Sequence, residues 1–179
     1  DGSIKYTSNI TIGGDFLDND ISFGLGSSKK DAKEIKERYG IASADLVDQD
    51  EDIRIDKIAG SGRKKVSKVE LANIIEPRLE EIFTMARREI MRSGYYDMLA
   101  AGCVITGGSM AIEGADYLAQ KVLNMPVRLG IPSKISGLED LVSTPACATG
   151  VGLLIWGSKN QVEGKSQKIR IREAQVFKR

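Results

Sequence analysis

The fold turns on the stretch Cys103-Val104-Ile105-Thr106-Gly107-Gly108-Ser109-Met110. Cys103, Val104 and Ile105 read as a short buried strand. Thr106-Gly107-Gly108 comes at once after it, and Ile112, Ala115, Leu118, Ala119, Val122 and Leu123 then keep a helical stripe. The unit is therefore strand, glycine turn, helix. Glycine reaches backbone angles closed to other residues and carries no side chain, so a flat ring or a sugar can lie against such a turn. Free N–H groups at the start of the next helix would favour phosphate oxygens. The turn is not a Walker loop, because no Gly-Lys-Ser/Thr comes after it, and its glycine spacing does not match a dinucleotide fingerprint. Taken alone, two glycines are more often a tight connection without a ligand.

Working outward, Asp1-Gly2 is a hairpin-turn dipeptide, and Ile4, Tyr6, Ile10 and Ile12 read as a strand after it. A hairpin needs a partner strand, which would lie before Asp1, so the chain reads as a piece of a longer protein. Gly13-Gly14 ends this strand. Leu17, Ile21 and Leu25 give a helix over Phe16–Leu25 with Asp15 as its N-cap. Ser28 caps a second helix, Lys29–Tyr39, with Ala32, Ile35 and Tyr39 on its apolar side and Gly40 as its stop. An acidic loop then leads to a half-buried strand at Ile53-Arg54-Ile55-Asp56, and Gly60–Lys65 reads as a turn. Ser67-Lys68-Val69-Glu70 is a capping box for a helix to about Arg92, with Leu71, Ile75, Leu79, Ile82, Ala86 and Ile90 on its apolar stripe, Glu76 among its exposed charges, and a kink or break expected near Asn73 because of Pro77. Gly94 stops it. Val127–Leu129 is a further strand and Leu138–Val142 a short helix. The last helix, Ala146–Trp156, is apolar nearly all round, which predicts burial in a core. After Gly157 the chain is polar and basic, as in a strand-like or mobile tail.

Composition narrows the function. Net charge is +1, so charge does not point to a nucleic-acid partner. No apolar run is long enough to span a membrane, and the first residues carry no signal-peptide pattern. The chain lacks histidine, which removes the usual general base and zinc ligand. Cys103 and Cys147 sit among small apolar residues and read as buried free thiols in a reducing, cytoplasmic setting. Two helices carry charge away from their apolar stripes. Lys33, Lys36 and Glu37 could reach a nucleotide's ribose, although a solvated face explains them more simply. Lys64, Lys65 and the charges along Ser67–Arg92 could dock an acidic peptide, and an ordinary solvated face explains them equally well.

Six ordered motifs together resemble FtsA, the actin-like bacterial cell-division family. They are Gly13–Ile21, Ala32–Lys36 with Tyr39-Gly40, Leu71–Ile82, Val104–Gly108, Pro126–Gly130 with Ser136–Leu138, and Thr149–Leu154. The resemblance covers residues 1–158. It implies an α/β chain of the actin/Hsp70 ATPase fold, here the second lobe only. Subdomain IIA would take residues 1–20 and 99–158, subdomain IIB residues 21–98, and residues 159–179 would form a tail or linker. ATP with Mg²⁺ is the implied cofactor. Gly107, Gly108, Ser109 and Met110 would line the adenine side, with Lys33 and Lys36 approaching the adenosine. The implied partners are the acidic and apolar C-terminal tail of FtsZ, other division proteins, and further copies of the protein in filaments. Lys65, Asn73 and Arg78 would contact the tail, since an arginine fork suits a carboxylate. Membrane attachment in the family runs through a C-terminal helix that this chain does not show up to Arg179. Asp18 stands where the family usually has threonine, and Lys33 where glutamate is common. The alternatives are an ATPase of the Hsp70 or sugar-kinase type and another actin-like filament protein such as MreB.

Overall fold

The computed structural model describes residues 3–47, 51–56, 63–133 and 142–161. The hairpin dipeptide at residues 1–2, the helix expected at 138–142 apart from its last residue, and most of the polar tail lie outside them. Two helices open the described fold: α1 (Gly14–Leu25) and α2 (Lys29–Tyr39). A short hairpin comes next, of β1 (Asp52–Asp56) and β2 (Arg63–Ser67), antiparallel with Ile53 opposite Val66. The long α3 (Lys68–Arg92) leads through a turn to β3 (Cys103–Ile105), α4 (Ala115–Leu123) and β4 (Val127–Leu129). Strands β3 and β4 pair in parallel, with Val104 opposite Arg128. That is the βαβ arrangement, in which the crossover helix covers one face of the strands. Helix α5 (Ala148–Gln161) closes the described chain.

The core grows from the predicted stripes. Leu17 and Ile21 of α1, Leu71, Ile75 and Leu79 of α3, and Leu118 of α4 are fully buried. Helix α3 lies between α1 and α4 and packs on both. This explains the first correction. No break occurs at Pro77, and α3 runs unbroken for 25 residues. An interior proline costs about 3 kcal/mol of helix stability. A fully buried leucine or isoleucine contributes about 1.5–3 kcal/mol, and Leu71, Ile75 and Leu79 flank the proline. Packing on two sides therefore outweighs the local defect.

Other expectations change in informative ways. Residues 3–10 pair with no described strand, and Ile4 and Tyr6 stay exposed. A period-two pattern makes a strand only where a ladder partner is present, and the β3–β4 sheet does not reach them. Tyr6 and Ser8 instead donate hydroxyl hydrogen bonds to Glu89 on α3, at 3.1 and 2.6 Å. Asp15 is not a cap: α1 begins after Gly13, with Asp15 in its first turn. Ser28 does cap α2, accepting from the Asp31 N–H at 3.1 Å. Lys64 and Lys65 belong to β2 rather than to a turn. Ser67 caps α3 by accepting from the Val69 N–H, while Glu70 faces Lys64 at 4.0 Å, so the box is only half formed. Both cysteines are half-buried and free, and burial pushes the Cys103 thiol up.

The last helix departs furthest. It starts at Ala148, after a single 3₁₀ turn at Pro145–Cys147, and leaves Leu153, Leu154 and Trp156 largely exposed. A side chain added at Gly150, Gly152 or Gly157 would meet nothing within 4 Å. Apolarity all round says only that a surface wants cover; the described residues place no neighbour against these positions.

Candidate functional site

A polar cleft of about 760 Å³ opens where the start of α1, one face of α2 and the Thr-Gly-Gly turn converge. Gly13, Gly14, Asp15, Phe16 and Asp18 form one wall, Lys33, Lys36 and Glu37 a second, and Gly108, Ser109 and Ala111 a third, with Thr144 and Ala146 at the edge. A second groove of about 500 Å³ runs beneath the N-terminal segment against the end of α3. It is walled chiefly by Ile4, Tyr6, Ile10, Ile90, Met98 and Leu99 and offers few polar groups. A binding site needs convergent polar groups to orient its ligand, and the first cleft has them.

The glycine turn is built by hydrogen bonds rather than left open. Thr106 Oγ1 donates to the Gly130 carbonyl at 2.8 Å, and the Gly107 N–H donates to the Pro145 carbonyl at 3.1 Å. Gly107 takes φ +110° and ψ 164°, a region essentially closed to side chains. The chain then makes one 3₁₀ turn, Gly108–Ala111, and not a helix. Helix α4 begins only at Ala115, after left-handed Gly114. The expected helix N-terminus beside the glycines is therefore absent, and the Gly107 N–H is already used. Met110 packs against the core and does not line the cleft.

Across the cleft, α1 and the turn approach closely. A β-carbon at Gly14 would fall 2.0 Å from Ser109 Oγ and 3.7 Å from Lys36 Nζ. Glycine at position 14 is thus what lets the two walls meet. Beneath it, Lys36 Nζ lies 2.7 Å from Asp18 Oδ1, with the two side chains only 8% and 5% exposed. The same ammonium donates to the Gly14 carbonyl at 3.3 Å. Lys36 is therefore a buried part of the floor, not a member of a solvated face. Lys33 stays on the rim, exposed, 4.0 Å from Glu37.

The residues expected to meet a peptide differ in their surroundings. Lys65 is exposed on β2 and paired with Asp52, and Asn73 is exposed on α3. Arg78 is held within the fold. Its Nε and Nη2 donate to the two Asp20 oxygens at 2.6 and 3.1 Å, and Nη1 donates to Glu81. Its guanidinium also lies 5.6 Å from the Phe16 ring. The hydrogen bond to Asp20 pushes the guanidinium's pKa further up. Glu76, expected on the exposed face, instead accepts from the Ser43 hydroxyl at 3.0 Å and the Ala44 N–H at 2.9 Å. Sequence reading used Gly13-Gly14 as a strand stop and as the start of a family motif, and did not place it in the cleft wall. The pairs Asp18–Lys36 and Asp20–Arg78 had no signal at all, because 18 and 58 residues separate the partners.

Nucleotide chemistry can be tested against these groups. Open glycine backbone at Gly13 and Gly108, with donors at Lys33 and Ser109 and an acceptor at Glu37, suits a flat base and a sugar. Phosphate is less well served, since the N–H of Gly107 is taken. Among the described residues no group of three histidine, cysteine or acidic side chains is placed to hold a metal ion.

The architecture is that of an actin-like protein. The fold matches MreB5 of Spiroplasma citri bound to ADP with a TM-score of 0.59 and 17% identity, covering 87% of this chain and 48% of that one. The AMPPNP-bound form of the same protein gives a TM-score of 0.57 at 18% identity, covering 86% and 46%. At these identities the likeness shows the fold alone. Sequence carries the assignment further. The family model for "Cell division protein FtsA" matches residues 1–152. The cell-division protein FtsA of Pseudomonas aeruginosa is 41% identical over 169 residues, 94% of this chain and 40% of that protein. The Escherichia coli K12 and Bacillus subtilis proteins of the same name are each 34% identical, over 93% and 98% of this chain and 41% and 39% of theirs. The chain belongs to the FtsA cell-division family, and it spans about two-fifths of the length of these relatives. Among the described residues no helix is long and apolar enough to cross a membrane.

Proposed function

We propose that this chain is the second lobe of an ATP-binding protein that ties FtsZ to the inner membrane at the division site and helps assemble other division proteins there. The observation that carries the nucleotide part is the polar, glycine-walled cleft between α1, α2 and the Thr-Gly-Gly turn. One protein of the same fold, MreB5 of Spiroplasma citri, is bound to ADP in one structure and to AMPPNP in another, which supports the same ligand class here. The base and sugar lie against Gly13, Gly108 and Ser109, with Lys33 and Glu37 at the rim and Lys36 below. ATP, carrying Mg²⁺, is bound with little or no hydrolysis, and it biases self-association into actin-like filaments. Residues 1–20 and 99–158 act as the nucleotide-bearing subdomain, and residues 21–98 as the docking subdomain.

The FtsZ tail docks on the β2–α3 face, where Lys65 and Asn73 are exposed to meet an acidic, apolar peptide. Equilibrium dialysis against labelled ATP tests the cleft. Saturable binding displaced by adenosine is the expected result, and absence of binding refutes the nucleotide site. Titration of a tail peptide tests the docking face, with weaker binding expected for Lys65→Ala. A peptide affinity unchanged by that substitution removes Lys65 from the contact.

A further inference from the structure

The cleft floor contains an ion pair that hydrogen bonding within the wall does not require. Lys36 and Asp18 meet at 2.7 Å with their side chains more than nine-tenths covered. Both border the cleft. An ammonium has three donors. One reaches the Gly14 carbonyl at 3.3 Å, while Asp18 Oδ1, 2.7 Å from the nitrogen, forms an ion pair with it without hydrogen-bond geometry, so the ammonium keeps donor capacity for a ligand. The charge of that donor is matched at contact distance by a carboxylate, so the floor is a hydrogen-bond donor with no net charge.

We infer that Asp18 is a positioning residue that acts through Lys36 and sets the charge preference of the cleft, turning its floor toward the uncharged, hydroxyl-bearing part of a nucleotide and away from phosphate. This deepens the nucleotide reading above and rests on it. Electrostatic effects in a half-enclosed site are several times stronger than in water. Removing the carboxylate while keeping its shape therefore leaves a cation that attracts a polyanion far more than a neutral nucleoside. Orientation enters as well. Asp18 on α1 holds Lys36 on α2 against the Gly14 carbonyl, beside the point where Ser109 crosses. The pair thus joins two walls of the cleft.

The test compares the affinities of ATP and adenosine for the wild-type chain and for Asp18→Asn, each at low and high salt. The expected result is a shift of about tenfold in the ratio of the two Kd values toward ATP, with ATP binding becoming steeply salt-dependent. A purely structural role would weaken both ligands in step and leave the salt dependence unchanged; that outcome overturns the proposal. If Asp18→Asn shows no cooperative melting transition, Asp18→Thr carries the same comparison, since a smaller side chain leaves room for water beside the ammonium. A wild-type chain that binds neither ligand overturns the nucleotide reading itself and takes this proposal with it. Binding by wild type with an unshifted ratio in the variant overturns this proposal alone.

Discussion

Arg78 was expected to meet a peptide, yet the fold holds it in a clasp with Asp20, and Arg78→Ala separates these roles. The guanidinium makes two hydrogen bonds to one carboxylate, a third to Glu81, and stacks near Phe16. The Arg78 and Asp20 side chains are 24% and 30% exposed. An exposed ion pair contributes about 0.2–1 kcal/mol, and breaking a fully buried one costs about 3–5 kcal/mol. A bidentate pair covered over roughly three-quarters of its surface falls between, so Arg78→Ala should cost about 2 kcal/mol. For a chain of this length that lowers the melting temperature by about 4–8 °C. Asp20→Asn should cost about half as much, and the double variant should fall about 1 kcal/mol short of the sum, because both changes remove one interaction. Thermal melting of the four proteins reads this directly. Strict additivity, or an unaltered melt in Arg78→Ala, refutes the clasp. Tail-peptide affinity completes the comparison. If Arg78 leaves Asp20 to hold a peptide carboxylate, Asp20→Asn tightens binding; if it stays, Asp20→Asn leaves binding unchanged.

Burial and titration give two further outcomes. Leu79 is fully buried on α3, so Leu79→Ala should lose about 3 kcal/mol in a urea titration, and a loss below about 1 kcal/mol would show that α3 is not the central packing element. The Glu89 carboxyl is held below its ordinary value, first by the Ser8 hydroxyl and then by Tyr6. A depressed carboxyl stabilises the fold above its ordinary pKa and loses that contribution as pH falls through the lowered value. The N-terminal segment should therefore release from α3 only at acidic pH, below the range in which an ordinary glutamate titrates, and at a higher pH in Ser8→Ala; NMR signals of Tyr6 that ignore both changes would contradict this contact.

Much of the fold was legible because its helices carry period-3.6 stripes that packing respects. Leu17, Ile21, Leu71, Ile75, Leu79 and Leu118 were read as inward-facing and are buried. The strands at Ile53–Ile55, Cys103–Ile105 and Val127–Leu129 were likewise short apolar runs beside turn residues, and they pair as strands. Where local chemistry and packing disagreed, packing prevailed. A kink or break was expected near Asn73 because of Pro77; there is no break, and burial on two sides carries the helix through the proline. The last helix, apolar on every side, was expected in a core and is exposed among the described residues. Periodicity reports how much surface is apolar, not which neighbour covers it.

The candidate site divides the same way. The order of residues along the chain was enough for the family, the glycine turn and the identity of α2 as a cleft-side helix, because these depend on ordered motifs that survive in one dimension. It also supplied Gly107, whose positive φ a side chain would resist. Packing in three dimensions assigned the charged residues their work. Lys36 became a neutralised floor through Asp18, Arg78 an internal clasp through Asp20, and Glu76 a support for the Ser43–Ala44 turn. The physical reason is that charge strength depends on distance and on solvent exclusion, and both are set only when segments far apart in sequence are brought to within about 3 Å.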